Sequence, residues 1–340
     1  MRYALRTLIS TLVVAGAAWS PLASAQTTVI KYSNWLPVGQ AMRMEVIEPW
    51  IAEVEKVTQG RVKIDTLPKV VGTVGAQFDV ARDGQADMVV FVPSYTANRF
   101  DILEVIQLPF MSDNPEKFAP IADRFYRQHL ASYNELKGVH PLSVFVVSPG
   151  QLFTAKRQVR TVADFKGLKV RSPQASANQA LTLLGAVPVS KPVSEVYELL
   201  SSGVLDGTLM PAESMPAFKL SDLVAHGTIV PGALYNTVLI IAMNEDKWKS
   251  LRQDDRDAIT KISGETFARN VGRAYAKGDL AAYEGLRKAG KTVEPLSPAV
   301  LTELKTILKP IDVEWMEKVR KKGVADPQKL IDTLRGELAK

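Results

Sequence analysis

Val162-Ala-Asp-Phe-Lys-Gly-Leu-Lys-Val-Arg-Ser-Pro173 decides the fold. The stretch reads as a short helix, a glycine turn, a buried strand and one arginine, Arg171, where that strand ends. In open α/β sheets the carboxyl ends of strands face the crevice in which ligands bind. A guanidinium presents a planar fork of donors that matches a carboxylate through two parallel hydrogen bonds. The chemistry expected of Arg171 is therefore capture of a small organic acid. The competing reading is an ordinary surface pair with an acidic side chain.

Working outward, short β runs alternate with longer helical ones on both sides of this segment. Upstream, 28–33 is strand-like and leads through Asn34-Trp-Leu-Pro37 into an amphipathic helix over about 41–58. A second strand at 61–67, a helix at 78–83 and a buried strand at 87–92 follow, then one long helix over 115–136 and a strand at 141–147. Between Lys169 and Ile241 the β-α order repeats, with helices near 178–184 and 194–202. Tyr197, Leu200 and Val204 share a face of the latter, and Gly203 and Gly207 end it and turn into the next strand. From about residue 254 the chain reads as almost entirely helical, broken near Pro295, Pro298, Pro310 and Pro327. The class is α/β with helices on both sheet faces.

Arg2 and Arg6 precede an apolar run from Leu8 to Trp19, followed by Ala23-Ser-Ala25. This is the layout of a cleaved secretory signal over 1–25, with cleavage after Ala25, which points to a periplasm. Removing it takes two arginines and brings the net charge of +6 to about +4. The chain has no cysteine, so disulfides, thiolate zinc and a cysteine nucleophile are excluded. Basic residues are dispersed and do not interleave with aromatics, so no nucleic-acid surface is expected. His129, His140 and His226 lack metal-ligand spacing, and no G-x-S-x-G, P-loop or G-x-G-x-x-G occurs. These features favour a non-enzymatic binding protein without cofactor or metal over a periplasmic hydrolase.

Five motifs in order carry a resemblance over essentially the whole mature chain. They are Asn34-Trp-Leu-Pro37; Leu108-Pro-Phe110; Asp164-Phe-Lys-Gly-Leu-Lys-Val-Arg171; Val196-Tyr-Glu-Leu-Leu-Ser-Ser-Gly-Val-Leu-Asp-Gly207; and Ala242-Met-Asn244 leading to Trp248. The order resembles the substrate-binding subunits of tripartite ATP-independent periplasmic (TRAP) transporters, the dicarboxylate-binding superfamily. The resemblance implies a two-lobed, type II-like periplasmic binding fold with crossing hinge strands. Lobe I is expected over 26–148 plus about 236–255 and lobe II over 149–235. A helical C-terminal region, 256–340, should pack on and link both. Hinges are placed near 147–150 and 235–238. The implied partners are a small organic acid and membrane permease subunits driven by an ion gradient, with the chain itself a monomer.

The resemblance assigns the carboxylate clamp to Arg171 and pocket positions to Asn236 and Asn34. Two positions depart from the family pattern: Gln151 stands where a second arginine is common, and Met210 where an asparagine is common. A second guanidinium would suit a dianionic ligand, whereas an adaptable thioether packs against rings. Trp35, Phe91, Tyr95 and Phe153 fall in or beside strand-end segments and complete an expected apolar pocket, although core packing is an equal reading for each. Glu213, just past a pocket strand, is a further candidate to accept from a ligand hydroxyl. The sequence thus favours a monocarboxylate with an aromatic or apolar body. Small 2-keto or 2-hydroxy acids, or a sensory binding protein with the same pocket, are the alternatives.

Overall fold

The computed structural model describes residues 27–340; the signal segment and its cleavage after Ala25 lie outside the described residues. Two mixed sheets form two lobes. The first combines β1 (Thr28–Ser33), β2 (Val62–Thr66), β3 (Met88–Phe91), β4 (Val139–Val146) and β10 (Val238–Asn244) in the order β2-β1-β3-β10-β4. The second combines β5 (Gln151–Thr154), β6 (Lys169–Ser172), β7 (Val187–Ser190), β8 (Gly207–Met210), β9 (His226–Ile229) and β11 (Thr292–Pro295) in the order β11-β9-β5-β8-β6-β7. In the first sheet β1 runs parallel to β2 and β3, while β10, arriving from the other lobe, is antiparallel to β3 and β4; in the second β6 runs parallel to β7 and β8, while β5, arriving from the first lobe, is antiparallel to β8 and β9.

The chain leaves the first lobe after β4 and returns to it as β10, and these two strands pair along their full length, Val238 against Val146 through Asn244 against Val139. The pairing continues through the crossing: Val147 N donates to Thr237 O at 3.1 Å and Gly150 N to Tyr235 O at 3.0 Å. Gly150 is obligatory, because a Cβ there would lie 1.9 Å from the Tyr235 ring. A third connection is the 25-residue helix Gly264–Lys288. Its first half packs on the helix Pro115–Phe125 of lobe I, where Gly272 lets the backbones approach until a Cβ would sit 2.4 Å from Pro115 O. Its second half contributes Ala282 and Leu286 to the core of lobe II. The C-terminal helices Pro298–Ile307, Pro310–Arg320 and Pro327–Ala339 then fold back, and Trp315 Nε1 donates to Asp101 O of lobe I at 2.8 Å.

Three local readings are corrected. The helix expected over 115–136 is α-helical for Pro115–Phe125, then π-helical over Tyr126–Leu130 and 3-10 over Ala131–Tyr133. Pro120 inside it removes one ladder donor. The segment expected as a uniform helix at 41–58 begins with a π-helical stretch, Met42–Ile47, before the α-helix Glu48–Val57, whose Pro49 lacks the N–H that would close the preceding turn. The C-terminal region is not helical throughout, since β11 joins β9 in parallel at the edge of the second sheet. Among the described residues, no helix is long and apolar enough to cross a membrane.

Candidate ligand-binding site

A cavity of about 50 Å³ lies between the lobes at the carboxyl ends of β3, β6 and β8, where open α/β sheets bind ligands. Its walls include Trp35, Val92 and Tyr95 from lobe I, Arg171, Val193, Met210 and Phe218 from lobe II, and Tyr235 and Thr237 from the crossing strand. Tyr275, from the long connecting helix, and Gln40 close it from a further side.

Arg171 is the third residue of the strand Lys169–Ser172, with Val170 packed into the core of the sheet and the arginine turned to the opposite face. Its flanking strand partners are Val189 and Thr208. The side chain is only 2% exposed. Nε donates to Lys191 O at 2.8 Å and Nη1 to Leu209 O at 3.0 Å, both carbonyls at or just beyond the ends of neighbouring parallel strands. Nη2 donates to Tyr95 Oη of the other lobe at 3.2 Å. A guanidinium has five N–H groups, so one on each terminal nitrogen has no acceptor among the described residues. Among the described residues, no carboxylate forms an ion pair with Arg171, and it is the sole lysine or arginine of the cavity wall. Arg171 is thus a buried cation held by neutral dipoles on three sides, with no compensating anion among the described residues.

Four of the ten expected site residues meet at the cavity: Arg171, Trp35, Tyr95 and Met210. Trp35 is oriented by its Nε1 donating to Val90 O at 2.7 Å. Tyr95 Oη accepts from both Arg171 and Val193 N, which ties its ring to the second lobe. The structure places the other six off the wall. Gln151 opposes Met210 across β5 and β8, but its Oε1 accepts from Val230 N at 2.7 Å, just beyond β9 on its other flank, and it is not a wall residue. Phe153, two residues on, packs in the core of lobe II, and Phe91 packs edge-on against Phe78 at 5.3 Å in that of lobe I. Asn34 caps a turn by accepting from Leu36 N. Asn236 donates to Ser112 O at 3.0 Å, at the seam behind the cavity. Glu213 lies one layer out, where Oε1 accepts from Ala41 N at 2.8 Å and Oε2 from Ser214 Oγ at 3.0 Å.

Residues not anticipated complete the wall. Gln40 Nε2 donates to Tyr275 Oη at 2.6 Å although 235 positions separate them. Burial raises the phenols of Tyr235 and Tyr275 well above their ordinary range, so both are neutral hydroxyls. Burial likewise pushes Glu213 up to about 7 and its neighbour Asp279 up to about 6. Among the described residues, no three histidine, aspartate or glutamate side chains group to hold a metal ion. None of the three histidines lines the cavity; His140 stacks on Trp248 at 4.1 Å, and burial depresses it to about 4.

The profile of the bacterial extracellular solute-binding proteins, family 7 (DctP), matches residues 33–318. The chain belongs to this family, the binding subunits of TRAP transporters. Its two-lobed architecture agrees with solved family members. A TRAP periplasmic solute-binding protein from Bordetella bronchiseptica, with bound (R)- and (S)-mandelate, superposes with a TM-score of 0.87 at 32% identity over 92% of this chain and 99% of that one. One from Rhodoferax ferrireducens, with copurified benzoate, gives 0.87 at 29% identity over 92% and 98%. Among named relatives, the outer membrane transporter protein TsaT of Comamonas testosteroni is 27% identical over 94% of each chain. Family 7 proteins bind extracellular solutes, and the two solved structures each hold a carboxylate.

Proposed function

We propose that this chain is a periplasmic receptor for a monocarboxylic acid with an aromatic or medium-sized apolar body. Arg171 clamps the carboxylate, the lobes close over it, and the closed form delivers it to the membrane permease subunits of a TRAP transporter. The observation that carries this reading is the buried, acid-free guanidinium of Arg171 facing a wall built mainly of rings and apolar side chains. A second ligand carboxylate would meet no cation there, and desolvating it would go uncompensated. Two further basic residues, Arg99 and Lys219, do not reach the wall: Arg99 pairs with Asp79 at 2.8 Å and lies over the Phe78 ring at 4.1 Å, and Lys219 is not a wall residue. The mandelate and benzoate held by the two structural neighbours are acids of the class this wall suits.

Titration calorimetry with benzoate, phenylacetate and mandelate against succinate, malate and fumarate tests the proposal. At least one aromatic acid should bind about tenfold or more tighter than each dicarboxylate, a gap of roughly 1.4 kcal/mol. At about 100 times its dissociation constant it should add about 2.7 kcal/mol to stability. Arg171→Ala should leave a folded protein whose affinity drops on the order of 30- to 5,000-fold, because truncating one partner of a buried charge pair costs about 2–5 kcal/mol. Near-native binding by Arg171→Ala, or a tenfold preference for dicarboxylates, would remove the clamp or the ligand class respectively.

A further inference from the structure

The hydroxyl of Tyr95 carries a hydrogen that no described group receives. Tyr95 ends a 3-10 turn, Pro93–Tyr95, that follows β3 after one residue, and its backbone N–H donates to Val92 O at 3.1 Å. From this turn of lobe I the side chain reaches lobe II, where Oη accepts from Arg171 Nη2 and from Val193 N, each at 3.2 Å. Two incoming donors occupy the acceptor capacity of a phenolic oxygen. Its own O–H is left to point in the remaining direction, and among the described residues it donates to none.

Three tyrosines stand on the cavity wall: Tyr95, Tyr235 and Tyr275. Tyr235 and Tyr275 are buried, whereas Tyr95 keeps part of its surface accessible. Its oxygen lies 3.2 Å from Nη2, one of the two Arg171 nitrogens whose remaining N–H has no described acceptor. Three uncommitted donors, two from lobe II and one from lobe I, therefore gather on one wall, and no aspartate or glutamate lines the cavity to receive them. A ligand carboxylate offers about four lone-pair sites, enough for all three.

We infer that Tyr95 is a second polar ligand-binding residue, whose O–H donates to the same carboxylate that Arg171 holds, so that one anionic group is gripped from both lobes. This rests on the proposed Arg171 clamp and not on the body of the acid. The bonds that Tyr95 accepts from Arg171 and Val193 polarise its hydroxyl and strengthen the one it donates. Closure without an anion leaves that hydrogen unserved, a cost the anion removes. Lobe I thereby reads the charge of the ligand rather than its bulk. A carboxamide, which turns N–H groups toward the same donors, is refused by both lobes.

The test removes the hydroxyl and then tunes it. Benzoate, phenylacetate, mandelate, succinate, malate and fumarate are titrated into the mature wild-type protein, and the tightest binder is carried into Tyr95→Phe, Arg171→Ala and Tyr95→3-fluorotyrosine at pH 6. Tyr95→Phe should weaken binding about ten- to a hundredfold, the yield of one hydrogen bond to a charged group. Ring fluorination makes a phenol a better donor and a poorer acceptor, so Tyr95→3-fluorotyrosine should bind tighter than wild type. A phenol that only accepts from Arg171 and Val193 gives the opposite sign, and this arm stays decisive if Tyr95→Phe folds poorly. Unchanged or weaker binding by the fluorinated protein would overturn the inference, as would wild-type affinity in Tyr95→Phe. Either result beside a large loss in Arg171→Ala would leave the clamp standing and remove Tyr95 alone. Near-native binding by Arg171→Ala, or failure of all six acids to bind wild type, would overturn the clamp and this inference together.

Discussion

Two carboxylates cross the seam between the lobes in opposite directions. Glu104 of lobe I accepts from Ser176 N, at the start of the lobe II helix Ala175–Leu183, at 3.0 Å. Glu213 of lobe II accepts from Ala41 N, at the head of the lobe I helical segment, at 2.8 Å. Each caps the positive end of a helix in the other lobe, an attraction that exists only while the lobes touch. Their surroundings differ. Glu104 has a cation nearby, Lys318 Nζ at 3.7 Å, that opposes the upward push of burial. Glu213 pairs with none among the described residues; it adjoins Asp279, whose Oδ1 accepts from the Glu213 backbone, and stands at about 7. The same capping bond is thus held by charge at one edge of the seam and exposed to proton uptake at the other.

The strongest way to break the second edge alone is steric. Gly278 lies in the connecting helix where a Cβ would come within 2.4 Å of Glu213 Cγ and 3.1 Å of its Cβ. Gly278→Ala should displace Glu213 from Ala41 and weaken ligand binding by about tenfold, in the range of overpacking costs. The thermal midpoint of the ligand-free protein should hold or rise, since alanine favours the helix by about 1 kcal/mol. A fall in that midpoint matching the loss of affinity would locate the damage in the fold rather than in closure.

Proton uptake should separate the two edges next. The folded, closed form raises Glu213 from its ordinary value to about 7, so closure binds a proton between those limits. Its contribution is complete below the ordinary carboxylate range and lost as pH rises through about 7. Affinity for a confirmed ligand should therefore decline from pH 6 to pH 8, by at most about tenfold per pH unit, the limit for one proton. Glu213→Gln should flatten the profile and Glu104→Gln should not. An unchanged slope in Glu213→Gln would move the titration to Asp279.

The smallest effect should sharpen the first edge. Lys318→Met removes the cation facing Glu104 and also one of two lysines paired with Asp101, the other being Lys322. A pair with one member a third exposed contributes about 1 kcal/mol or less, so a loss of affinity of no more than about fivefold is expected. With it should come a steeper decline in affinity toward alkaline pH. A profile identical to wild type would show that Lys318 serves Asp101 alone.

Much of this was legible in local pattern, and the limits have physical causes. Arg171, Trp35, Tyr95 and Met210 were readable because a strand's end locates a crevice without reference to distant residues. Gln151 is off the wall although Met210 opposes it in the ladder, because its carboxamide is taken up by Val230 N beyond the other neighbouring strand, a contact that no local pattern announces. Phe91 and Phe153 lie inside their strands rather than beyond them and fell to the two cores. Gln40 and Tyr275 left no signal, since their partnership spans 235 positions and each reads alone as ordinary helix-associated sequence. The strand Thr292–Pro295 was hidden by prolines that read as helix breakers, although proline is tolerated at the end of an edge strand.

The bridge between Gly150 and Tyr235 has a mechanical consequence. When a body turns about an axis, points far from the axis sweep long arcs and points on it stay still. Tyr235 belongs both to the crossing strands and to the cavity wall, with Val147 and Thr237 beside it. In the proposed closure these three side chains would form a floor near the axis, with Arg171 and Tyr95 on opposite arms. A ligand can rest on that floor in the open receptor and be measured from there, its length deciding how far the arms can travel before they meet.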